Sequence, residues 1–169
     1  SQEQIEAFYL VLSLLFPQNE IKIEDSKISI GETGFLNDYN FEDFKQYIKE
    51  DVDRCEFLKN KKSWWRVKFL HEHEYSIWKY MLLLRKEEYY AHKKNVIGDV
   101  LSTIYRIRKN HLGEKLSFTI HKDVFGPGLR IWHYGNIVVN SYARVGKNCT
   151  LHGDNCIGNN GLGGKSPRI

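Results

Sequence analysis

The 169-residue chain is poor in cysteine, in proline and in long apolar runs, and each shortage narrows its possible classes. Its three cysteines, Cys55, Cys149 and Cys156, give neither an even disulfide framework nor a CxxC metal spacing. Reduced packing thiols in a cytoplasmic protein are the expectation. The longest apolar run, Phe8 to Phe16, has nine residues, too few to cross a bilayer. It also lacks the basic flank and cleavage site of a signal peptide, so it reads as the core face of a helix, and no membrane span is expected. A formal net charge of only +4 gives no reason to expect a nucleic-acid partner, although it permits attraction to an anionic small molecule. A hydrophobic content of 41% with 14% aromatics excludes a disordered chain.

Proline and glycine are scarce early and concentrated late. Residues 1–16 read as a helix stopped by Pro17, and Ile21, Ile23, Ile28 and Ile30 read as a short hairpin around a polar turn. Asn40 with Asp43 is an N-cap signal that opens a helix running to about Phe57. A charged break at Lys59 to Ser63 follows. Trp65, Phe69, Ile77, Trp78, Met81, Leu82 and Leu84 then recur at mixed three- and four-residue spacings, as in a helix. A further helix carries Val96, Val100, Leu101, Ile104 and Ile107, with its stop expected near Gly113. Beyond about Leu116 the helical period disappears.

A six-residue beat replaces it. Val139, Val145, Leu151 and Ile157 form one track, and Ile131, Ile137, Ala143, Cys149, Asn155 and Gly161 form a second, mostly of compact residues. Glycine follows the aliphatic residue in Val145-Gly146 and Ile157-Gly158. This is the hexapeptide signature of a left-handed parallel β-helix, in which three hexapeptides complete one coil. The expected fold class is therefore α+β: a mainly helical domain over residues 1–113, then a left-handed β-helix over 114–169. About two coils are present, and the beat stops at Ile169 as though further coils should follow, so the β-helix reads as incomplete at its C-terminus.

The segment Phe125-Gly-Pro-Gly-Leu-Arg-Ile-Trp-His133-Tyr-Gly-Asn-Ile-Val-Val139 resembles the hexapeptide-repeat serine acetyltransferases. It is most similar to the branch found in bacterial polysaccharide clusters, where Tyr-Gly follows the histidine. Phe44 to Asp51 and Leu83 to Tyr90 also resemble the helical lead-in of that branch. The resemblance implies an acetyl-CoA-dependent O-acetyltransferase that needs no metal and works as a homotrimer on a small hydroxyl acceptor, serine or a sugar. It implies that His133 is the general base, a role for which imidazole is suited near neutral pH. It further implies that Gly163 and Gly164 approach the coenzyme through their backbone.

The chain departs from the serine enzymes where serine is recognised. Trp132 stands in place of an aspartate, and Lys165-Ser166 replaces an Arg-His pair before Pro167. Phe118 occupies the position of the aspartate that supports the base, leaving His121 or Asp123 as candidates for that task. Trp132, His152 and Lys165 are the candidate acceptor contacts, with His152 about one coil after His133.

Other motifs carry less. Gly164-Lys165-Ser166 lacks the first glycine of a P-loop, since residue 159 is Asn. His71-Glu72-His73-Glu74 reads as a solvated charged face, because helical residues two apart diverge. Trp64-Trp65 reads as helix packing or a contact between protomers, and the basic stretch Arg106 to Lys115 as a solvated helix end or an attractor of coenzyme phosphates. The alternative to catalysis is an assembly or interaction protein that keeps the β-helix without turnover. A carbonic-anhydrase-like centre would require three histidines, and His133 with His152 supplies two.

Overall fold

Helix α1 (Phe41–Asp53) begins at the expected cap. The Asn40 side chain accepts hydrogen bonds from the backbone of Glu42 at 2.8 Å and of Asp43 at 3.2 Å, while the Asp43 carboxylate accepts one from the Asn40 N–H at 2.9 Å. This reciprocal box satisfies donors that a helix start otherwise leaves bare. The computed structural model describes residues 39–59, 61–70, 72–159 and 166–169; the expected helix over 1–16 and the hairpin at 21–30 lie outside them.

Helix α1 ends at Asp53, short of the expected Phe57, and Glu56–Lys59 form a separate 3-10 turn. The reason lies in Arg54, whose guanidinium donates to the Gly128 carbonyl at 2.6 Å and to Thr150 Oγ1 at 2.7 Å, drawing the chain toward the strands. The helical run expected across 65–84 is two helices, α2 (Lys61–Phe69) and α3 (His73–Ala91). Trp65 is half-exposed and stacks on Phe69, with Lys68 over both Trp64 and Trp65, so this tryptophan pair makes a surface cluster rather than core.

Helix α4 (Val96–Leu116) runs through the glycine expected to stop it, and Ser117 closes it in the left-handed conformation, with φ 60°. Gly113 has a packing role instead. A Cβ there would lie 2.6 Å from the Phe118 carbonyl oxygen and 3.1 Å from the Tyr80 ring. Of the residues that betrayed this helix, Val96, Val100, Ile104 and Ile107 lie on its exposed side, while Leu101 is half-buried. Its buried positions are Gly98, Tyr105, Lys109, Gly113 and Leu116. Lys109, within the basic stretch expected to be solvated, is buried; its ammonium lies 2.7 Å from Glu87 and donates to the Ile120 carbonyl at 2.7 Å.

Five short strands follow: β1 (Phe118–Thr119), β2 (Arg130–Ile131), β3 (Ile137–Val139), β4 (Thr150–Leu151) and β5 (Cys156–Ile157). All their pairings are parallel, in the orders β1-β3-β5 and β2-β4. Phe118 lies opposite Ile137, Val138 opposite Cys156, and Ile131 opposite Leu151. Each strand thus meets a successor roughly three hexapeptides later. Parallel bridges also join Phe125 to Val145 and Arg144 to Arg168.

The early members of both six-residue tracks point inward, whereas Cys149, Asn155 and Ile157 are only partly buried. Ile131, Ile137 and Ala143 are buried, as are Val139, Val145 and Leu151, while Val138 between them is exposed. Strand alternation requires this, because residues two apart share a face. Asn148 and Asp154, six apart, turn corners in the left-handed region that short polar side chains tolerate. Cys149 packs against the core, but Cys156 is exposed, because it occupies the outward strand position beside Ile157; all three cysteines are free. One hydrophobic cluster joins these inward residues to Ile77, Tyr80, Met81 and Leu84 of α3, so that helix lies against the parallel strands.

A buried ionic network fixes that docking. Arg85, fully buried on α3, contacts Asp51 of α1 at 2.8 Å and Glu88 at 3.0 Å, and donates to the carbonyls of Phe125 at 2.8 Å and Gly126 at 2.7 Å. Asp51 in turn accepts the Leu129 N–H at 2.8 Å, and Glu88 accepts the Asp123 N–H at 3.0 Å. Burial raises the Glu88 pKa, and the Arg85 charge opposes that rise. The stretch before His133 is thereby held to two helices by charge-assisted bonds. Among the described residues no helix is long and apolar enough to cross a membrane.

Candidate functional site

The sequence from Arg130 to His133 leaves strand β2 and forms one wall of an open cleft of about 490 Å³. The first turn of α3, with His73 and Glu74, and the turn around Cys55 and Glu56 form the facing walls. The backbone around His133 is fixed on both sides. Trp132 N–H donates to the Leu151 carbonyl at 2.9 Å, and Gly135 N–H to the Leu116 carbonyl at 3.3 Å. The imidazole itself is exposed and has no hydrogen-bond partner among the described residues. A ring so placed is free to accept a proton from a molecule entering the cleft.

Aromatic contacts order the residues around it. The His73 ring lies 5.8 Å from that of His133, tilted by 33°, and 5.8 Å from that of Tyr134. Trp132 lies 6.3 Å from His133 and stacks nearly parallel on His152 at 6.2 Å. The Arg130 guanidinium sits 3.6 Å from the centre of the Trp132 ring, a close cation–π contact. Trp132, His133 and His152 are thus brought together, the last from just beyond β4, as the register of β2 with β4 requires. Gly163, Gly164 and Lys165 lie outside the described residues. Ser166 contacts Asn140 at 3.2 Å.

Neither expected substitute for the supporting aspartate fills that role. Asp123 is committed elsewhere, 2.9 Å from His92 and 3.0 Å from Lys122, and His121 is exposed without a bond to His133. Burial alone would raise the Asp123 pKa, but the hydrogen bonds from His92 and Lys122 outweigh it and hold the carboxyl below its ordinary value. Cys55, the thiol in the lining of the cleft, is pushed up to about 11 by burial, with Asp51 adding to the effect. Its thiolate is scarce at neutral pH.

His73 is the residue the sequence reading missed. Glu72 is the N-cap of α3, so His73 and Glu74 form its first turn, and their side chains, expected as a solvated charged face, are only partly exposed at the edge of the cleft. His73 precedes Ile77, Tyr80 and Leu84 at spacings of four, three and four, on the stripe that faces the core. That periodicity was readable. Glu74 stands beside it, with Oε2 3.5 Å from His73 Nδ1; this oxygen is buried and has no hydrogen-bond partner among the described residues. Among those residues no three His, Cys, Asp or Glu side chains converge as metal ligands. No protein-family model matches this chain, and no match is found among curated proteins or among solved structures.

Proposed function

We propose that the chain is an acetyl-CoA-dependent O-acetyltransferase and that its parallel coils begin a left-handed β-helix. The observation that carries the reading is His133: an unengaged imidazole on rigid backbone, at the mouth of a cleft, inside the segment that resembles the acetyltransferases. In the proposed reaction the acceptor hydroxyl oxygen attacks the thioester carbonyl carbon of acetyl-CoA. A C–O bond forms and the C–S bond breaks. The hydroxyl proton passes to His133 and then to the departing coenzyme thiolate, so the base is regenerated. A hydroxyl is a weak nucleophile, and general-base assistance is worth roughly 10²–10⁴-fold in such a step. Rigid coils supply fixed positioning of the base. Trp132 and His152 form the adjoining surface on which the acceptor rests, serine or a sugar, and a homotrimer is the assembly proposed.

Thermal unfolding tests the ligand. A compound that binds only the folded chain stabilises it by about 2.7 kcal/mol at one hundred times its Kd. Acetyl-CoA is expected to raise Tm in a dose-dependent way. A Tm unmoved by acetyl-CoA at millimolar concentration contradicts the enzyme and favours a non-catalytic assembly protein.

A further inference from the structure

The cleft leaves one chemical need unmet and one group unused. An imidazole that takes a proton works best when its second nitrogen is held, because that bond fixes the tautomer and the ring direction. His133 has no such partner among the described residues, and Asp123, the nearest substitute in sequence, is held by His92. On the opposite wall stands His73, its ring 5.8 Å from that of His133. Behind His73 lies Glu74, whose buried Oε2 is 3.5 Å from His73 Nδ1 and accepts no hydrogen bond from the described residues.

We propose that His73, backed by Glu74, is the positioning residue for His133, resting on the acetyl-transfer reading given above. The centroid distance lets a small rotation, or one bridging water, join a nitrogen of His73 to the far nitrogen of His133; such bonds are commonly long before substrate arrives. His73 Nδ1–H then donates a hydrogen bond to Glu74, which fixes the His73 tautomer with its other nitrogen free to accept from His133. The buried carboxylate oxygen finds its donor in the same arrangement. A group on the helical segment thereby completes a base carried by the strands, and the position of α3 against the coils controls the site.

The position tolerates substitution, since His73 is partly exposed at a helix start. His73→Phe keeps the ring and removes both nitrogens. It is expected to lower kcat by about tenfold or more, within the range that a general base itself supplies, with KM for acetyl-CoA unchanged. His73→Gln, which restores an acceptor, recovers part of that loss, and Glu74→Gln produces a smaller decrease in kcat. A second readout is independent of turnover. Side-chain ¹⁵N shifts of His133 are expected to report one dominant tautomer in the wild type and a mixture in His73→Phe. Unchanged tautomer populations in His73→Phe overturn the proposal, as does a kcat equal to wild type. If the tautomer changes while neither protein transfers acetyl groups, the pairing stands and the acetyltransferase reading falls.

Discussion

Arg85 neutralises two buried carboxylates and caps two carbonyl oxygens at once. Lysine cannot replace it, because a point charge lacks the planar fork that reaches all four. Removing one member of a buried ion pair typically costs about 3–5 kcal/mol, since the remaining charge stays unpaired in a poor solvent. Arg85→Met is therefore expected to destabilise the chain by about that amount, measurable by urea unfolding. Asp123 gives a prediction in pH. Its folded pKa is depressed, so its contribution is complete above the ordinary aspartate range, near pH 4, and is lost as pH falls through the lower folded value. Wild type and Asp123→Asn are expected to differ in Tm near neutral pH and to converge as pH falls through the depressed folded value. A constant difference down to pH 2 contradicts the assigned partners.

Between residues and fold, the helices show what periodicity can and cannot report. The cap at Asn40 was legible because capping is local, fixed by residues three apart. Helix α4 was recognised mostly from apolar residues that turn out to face solvent, while its packed side uses Gly98, Lys109 and Gly113 beside Tyr105 and Leu116. Glycine and lysine at buried helix positions carry no hydrophobic signal, so their role depends on which surface approaches. Gly113 makes the point testable. In an exposed helix Gly→Ala stabilises by roughly 0.5–1 kcal/mol. Here the added methyl meets the Phe118 carbonyl, so Gly113→Ala is expected to destabilise by about 1–3 kcal/mol, the scale of overpacking. A raised Tm in Gly113→Ala would show that α4 does not lie as close to β1 as described.

Across the whole molecule, the six-residue beat anticipated the parallel pairing because inward and outward positions must alternate in register from coil to coil. The left-handed β-helix and the acetyl chemistry are what we propose beyond that pairing. His133 stood out in sequence through its neighbours Trp132 to Gly135. Its partner across the cleft did not, because His73 lies sixty residues away and only the docking of α3 on the coils brings the two rings together. Of the supporting candidates near in sequence, Asp123 is engaged by His92 and Lys122, and His121 is exposed without a bond to His133: proximity along the chain says little about which wall of a cleft a residue joins.

The most direct measurement is release of free coenzyme A thiol from acetyl-CoA in the presence of hydroxyl acceptors, comparing wild type with His133→Ala at matched Tm. The account predicts acceptor-dependent thiol release by the wild type and a loss of roughly 10²-fold or more in His133→Ala, the share expected of a general base. Equal rates in the two proteins would contradict it.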